Sequence, residues 1–122
     1  DGKEFSLASL RGKRVLFIYD GLGCMGQGGR DYLNNLFQST SRDDLEIVVY
    51  GSVFNLEELV EMKVRYPFDY IFVSDFLKDH SPIKIIYGTQ AMPTCFLIDR
   101  EGIVRLKSEG LDTERLDKLL RD

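Results

Sequence analysis

Val15-Leu16-Phe17-Ile18-Tyr19-Asp20-Gly21-Leu22-Gly23-Cys24-Met25-Gly26-Gln27 is the stretch on which the reading of this chain turns. Val15 to Tyr19 is a continuous apolar run with β-branched and aromatic members, the pattern of a strand buried on both faces. A glycine-rich turn follows, and then a helical pattern. Cys24 stands where that helix should begin. Unpaired N–H groups at a helix N-terminus carry partial positive charge and stabilise a thiolate over a thiol. Any chemistry this chain performs is expected at Cys24.

The rest of the sequence sets the frame. A length of 122 residues suits one domain spanning 1–122, with room for a real core. The net charge of −4 gives no reason to expect nucleic acid or an anionic membrane as partner. No apolar run is long enough to span a bilayer. The chain opens on Asp1 without a signal peptide, which reads as a processed chain or an excised domain. Two cysteines, Cys24 and Cys95, are too few for a disulfide scaffold or a zinc site. His80 is the lone histidine. With Asp75 and Asp79 it makes a poor metal set, and a polar loop is the simpler reading, so no metal is expected.

In chain order, Phe5, Leu7 and Leu10 are spaced to pack a short segment on the sheet. Arg14 to Tyr19 is the first strand. Met25, Gly29, Tyr32, Leu33, Leu36 and Phe37 then share one helical face. Gly26, Gly28 and Gly29 weaken that helix's first turn by about 1 kcal/mol each against Ala, which calls for either a close approach or tight packing. Leu45 to Tyr50 is a second strand. Asn55 caps a helix with Glu58 three residues on, Phe54 and Leu59 as its staple, and Pro67 as its stop. Asp69 to Val73 is a short strand. Ser81-Pro82 opens a helix over Ile83 to Tyr87, ended at Gly88. Thr94–Ile98 and Ile103–Leu106 form a hairpin around Asp99 to Gly102. Asp112 caps the last helix, whose stripe is Leu116, Leu119 and Leu120. The fold class is therefore α/β, a central mixed sheet built as βαβα then ββα, with helices on both faces.

This layout resembles the thioredoxin-like three-layer sandwich, and within it the TlpA-like branch related to AhpC/TSA thiol–disulfide oxidoreductases. Phe5-Ser6-Leu7 with Leu10-Arg11-Gly12-Lys13 is similar to that branch's F-x-L-x-x-L-x-G-K opening. Met92-Pro93-Thr94 with Phe96-Leu97-Ile98-Asp99-Arg100-Glu101-Gly102 is similar to its P-T-x-F-x-I-D-x-x-G block. The resemblance implies Cys24 as nucleophile, Pro93 as a proline held cis beside it, and Met92 as the residue whose backbone pairs with a thiol substrate. It also implies no cofactor, protein or small-molecule thiols and disulfides as partners, and a bacterial, extracytoplasmic setting such as the periplasm. There the domain would be part of a longer anchored protein.

Two positions depart from the family. Gln27 stands where the second cysteine of C-x-x-C belongs, and Gly23 replaces the preceding Trp. A dithiol enzyme releases its mixed disulfide by attack from the second cysteine, and Gln supplies no nucleophile. What the residues leave is a monothiol cycle resolved by an outside thiol, or a redox-inactive binding module. Cys95, two residues past Pro93 on one strand, shares its face and is either an unusual resolver or a buried filler. Gly21, Gly23 and Gly26 also match G-x-G-x-x-G, the dinucleotide-binding fingerprint. Against that reading, the second strand ends in Tyr50-Gly51-Ser52 without an acid for a ribose. Tyr19, Asp20 and Gln27 are expected to line the mouth of the site.

Overall fold

The computed structural model describes residues 5–20, 22, 25–77 and 93–121. Its strands are β1 (Arg14–Tyr19), β2 (Leu45–Tyr50), β3 (Ile71–Val73), β4 (Thr94–Ile98) and β5 (Val104–Glu109), and they form one sheet in the order β3-β2-β1-β4-β5. The β1–β2 and β2–β3 pairs are parallel; β1–β4 and β4–β5 are antiparallel. The helices are α1 (Gly26–Ser39), α2 (Leu56–Arg65) and α3 (Thr113–Leu120), preceded by a 3-10 turn at Leu7–Leu10.

The two central strands explain the apolar runs. Every residue of β2, and Val15 to Tyr19 of β1, is buried. On one face Leu16, Ile18, Ile47, Val49, Cys95 and Leu97 meet Leu33 of α1 and Leu116 of α3. On the other, Val15, Phe17, Tyr19, Val48, Tyr50 and Phe96 meet Leu10 and the N-terminal Phe5 and Leu7. Removing either Leu33 or Leu116, both fully buried, would cost about 2–5 kcal/mol as a Leu→Ala change.

The three helices among the described residues pack on the first face. Two successive crossovers, β1-α1-β2 and β2-α2-β3, step the same way across the sheet, and right-handedness then puts both helices on one side. The helix expected over Ile83 to Tyr87, with its Ser81-Pro82 start and Gly88 stop, lies outside the described residues, as do His80 and Asp79.

Several boundaries differ from the sequence expectation for physical reasons. β3 starts at Ile71 rather than Asp69, because Phe68 and Tyr70 stack at 4.3 Å and fill the core ahead of it. β5 runs on to Glu109. Its outward Arg105, Lys107 and Glu109 mask the strand pattern, and charge of this kind is how an edge strand avoids pairing with another chain. Asn55 Oδ1 accepts from the Glu58 N–H at 2.9 Å, as expected. Phe54, expected to close over that cap, keeps 57 % of its surface exposed, and α2 buries no residue fully. Asp112 Oδ1 accepts from the Arg115 N–H at 3.2 Å and starts α3 as read.

Candidate functional site

The register fixes which residues share the carboxyl edge of the parallel strands. Val73, Tyr50, Tyr19 and Thr94 stand in one row across β3, β2, β1 and β4. One step beyond that row come Asp20, Gly51 and Ser74, while Pro93 is the residue before Thr94. The antiparallel β4 thus brings Pro93 to the edge that β1 leaves at Asp20. Pro93 is buried, and its carbonyl accepts from the Gly110 N–H at 2.7 Å, which ties the approach to β4 to the end of β5.

Asp20 is half-buried and left-handed, with φ +58. Its N–H donates to the Tyr50 carbonyl at 2.7 Å, one more rung after β1 has ended. Asp is among the few residues that tolerate this conformation, at a cost that is usually found at turns and sites. Tyr19 and Tyr50 stack with centroids 4.9 Å apart, and the Tyr50 hydroxyl donates to Asp75 Oδ1 at 2.6 Å. Asp75 Oδ1 also accepts from the Leu77 N–H at 3.0 Å. Sequence reasoning placed Asp75 in a loop near His80 and missed this bond. A tyrosine at the end of the apolar run Ile47–Tyr50 was the available signal, since a buried hydroxyl needs a partner.

The start of α1 has two features relevant to a thiolate. Its N-cap residue, Met25, makes no side-chain capping bond, and no acid sits in its first turn. The first-turn amides of α1 therefore have no side-chain acceptor from the cap position. Gly26 has φ +75, a conformation that costs a glycine little. At Gly29 an added Cβ would lie 3.0 Å from Met25 Cβ, so tight packing accounts for that glycine.

Of the site residues expected from sequence, Cys24, Gly23 and Met92 lie outside the described residues, and so does the Met92–Pro93 bond. Gln27 is exposed; its Nε2 donates to Asp31 Oδ1 at 2.7 Å. Cys95 pairs with Ile18 across β1–β4, is 0 % exposed and is a free thiol. Burial pushes its pKa up to about 12, so it stays protonated at neutral pH and is a poor nucleophile in the folded chain. A residue the sequence reading passed over is Arg30. Its Nη1 donates to the Leu22 carbonyl at 2.9 Å, which fastens the β1–α1 turn to the helix. Among the described residues no cluster of three or more His, Cys, Asp or Glu forms a metal site.

No protein-family model matches the chain, and no curated protein matches it. Solved structures do. The thioredoxin domain of a thiol-disulfide oxidoreductase from Bacteroides vulgatus superimposes with a TM-score of 0.81 at 19 % identity, over 98 % of this chain and 87 % of that one. A thiol-disulfide isomerase from Corynebacterium glutamicum gives 0.77 at 21 %, over 99 % and 86 %. A thiol-disulfide oxidoreductase from Bacteroides fragilis gives 0.75 at 16 %, over 89 % and 82 %. The chain has a thioredoxin-like fold. The dinucleotide reading of Gly21, Gly23 and Gly26 is not favoured, because β4 runs antiparallel beside β1 where a doubly wound sheet continues in parallel.

Proposed function

We propose that this domain is a thiol–disulfide oxidoreductase that works through one thiol, Cys24. The observation that carries the reading is the start of α1: a thioredoxin-like sheet feeds a helix whose cap residue makes no side-chain capping bond and whose first turn holds no acid, and the cysteine precedes it by two residues. The Cys24 thiolate attacks one sulfur of a substrate disulfide. A new S–S bond forms, the old one breaks, and the departing thiolate takes a proton from solvent. An outside thiolate then attacks the mixed disulfide and releases Cys24 as thiolate, so the outside thiol is the reductant.

Pro93, Met92, Gln27 and Gly23 shape the groove in this reading, with the Met92–Pro93 bond cis, and no cofactor takes part. Protein or small-molecule disulfides are the substrates. The TlpA-like assignment and an envelope location, in a longer anchored protein, belong to the same proposal. The thiol–disulfide enzymes among the structural neighbours support it.

Alkylation rate against pH, measured on the Cys95→Ala variant, tests the reading. The expected thiol pKa lies well under the ~8.5 of a free cysteine, with a mixed disulfide trapped at Cys24 by mass spectrometry. A value at or above that figure with no trapped species leaves a redox-inactive binding module instead.

A further inference from the structure

A cleft of about 80 Å³ opens between α1 and the end of α2. Gln27, Arg30 and Asn34 line it from α1; Arg65, Tyr66 and Tyr70 line it from the other side. Two arginines and two carboxamide residues thus line a space with no acid among its lining residues, in a domain whose net charge is −4. The geometry points to a carboxylate-binding cleft, which seats the carboxylate of the small thiol that resolves the Cys24 mixed disulfide. This rests on the single-thiol reading above.

The two arginines differ in a useful way. Arg30 is held in place: beyond its bond to the Leu22 carbonyl, its guanidinium lies 4.4 Å from the Tyr66 ring centroid, and its Nη2 sits 3.5 Å from Gln27 Oε1. A guanidinium fixed by its surroundings loses little entropy when an anion arrives. Arg65 is exposed, and among the described residues no carboxylate lies within ion-pair distance of it. Asp31, the nearby acid on α1, is engaged by Gln27 Nε2 and is not part of the lining. A planar guanidinium matches a carboxylate with two parallel hydrogen bonds.

Size limits the ligand. Pockets for whole organic ligands run to several hundred Å³. A cleft of about 80 Å³ takes one charged end and leaves the rest outside. Covalent geometry limits the reach. Three peptide links keep the Cα atoms of Cys24 and Gln27 within about 11 Å, and Gln27 to Asn34 spans about 10 Å of helix. A thiol and a carboxylate separated by the length of a di- or tripeptide bridge such a distance. In the resolving step the small thiolate attacks the substrate-side sulfur of the mixed disulfide. One S–S bond forms, the bond to Cys24 Sγ breaks, and Cys24 leaves as thiolate.

The test uses S-methylglutathione, which has two carboxylates and no thiol, and its diethyl ester, which has neither. Each is titrated into the ¹⁵N-labelled domain, followed at the amides of Asn34, Tyr66 and Tyr70. Millimolar binding is expected, weakened about tenfold or more by esterification and by Arg65→Gln, and less by Arg65→Lys. A second readout is the rate at which glutathione releases a preformed Cys24 mixed disulfide, divided by the rate for 2-mercaptoethanol. That ratio should fall about tenfold in Arg65→Gln. Shifts that are absent, or indifferent to both the ester and Arg65→Gln, overturn the cleft even where Cys24 proves reactive. Carboxylate-dependent shifts with an unreactive Cys24 uphold the cleft and overturn the single-thiol reading and the resolving role.

Discussion

The two ends of the sheet are closed in opposite ways. At the end where β1 and β2 begin, arginines bind main-chain carbonyls. Arg100 Nη1 reaches the Gly12 carbonyl at 3.1 Å and that of Asp43 at 3.3 Å, and Arg14 Nη1 reaches the Leu120 carbonyl at 3.1 Å. Glu46, nearly buried, has Lys13 and Arg42 each at 3.8 Å. The end where β1 to β3 finish uses an aromatic stack, one carboxylate–phenol bond and two left-handed residues, Asp20 and Phe76. Long cationic side chains tolerate small shifts of what they hold. Stacked rings and strained backbone do not, and they lie at the edge where the proposed chemistry would need fixed geometry.

Three tests break or sharpen this contrast. Tyr50→Phe keeps the ring that stacks on Tyr19 and removes the hydroxyl that bonds Asp75. A cost of about 1.5–3 kcal/mol in urea unfolding is expected for a buried hydroxyl on a carboxylate; a cost near zero would mean that packing alone shapes this edge. Next comes the pair Asp20→Ala and Asp20→Gly. Both lose the carboxylate and only Ala keeps a Cβ, so their difference reports the left-handed backbone, and Gly should be the more stable by about 1 kcal/mol. Equal stabilities would remove strain from the description of this end.

The smallest effect belongs to the opposite end. Asp99 accepts from the Ile103 N–H, the Arg105 side chain and the Glu101 N–H, which together hold its carboxyl below the ordinary 3.8 despite some opposing desolvation. A depressed carboxyl stabilises the fold above its unfolded pKa and loses that contribution as pH falls through the folded value. Asp99→Asn should therefore flatten the loss of stability below about pH 5. Added salt should weaken the Arg105 part of the effect, because Arg105 is half-exposed. An unchanged acid profile would show that the turn's main-chain bonds suffice without the charge.

The central strands, α1, the Asn55 and Asp112 caps and the hairpin were legible because each rests on local pattern: a double-sided apolar run, a 3.6 period, or a cap side chain on its own helix. What was not legible depends on contacts distant in sequence. Tyr50 and Asp75 are 25 residues apart, and nothing local marks them as a pair. Arg30 was passed over, because its anchor is a main-chain carbonyl and its platform is Tyr66, just past the end of α2. β5 was cut short by its own charges. Cys95 was left between two roles by spacing alone, because the burial that raises its thiol pKa comes from strands and helices distant in sequence.

The Tyr32 hydroxyl donates to Asp117 at 2.7 Å and so joins α1 to α3. Burial and the neighbouring carboxylate push that phenol's pKa upward, so the link persists well into alkaline solution. The first helix is thereby gripped at mid-length by the last one. A mechanical load on the final segment of the chain would reach α1 through this hydrogen bond and the shared core cluster as well as through the sheet.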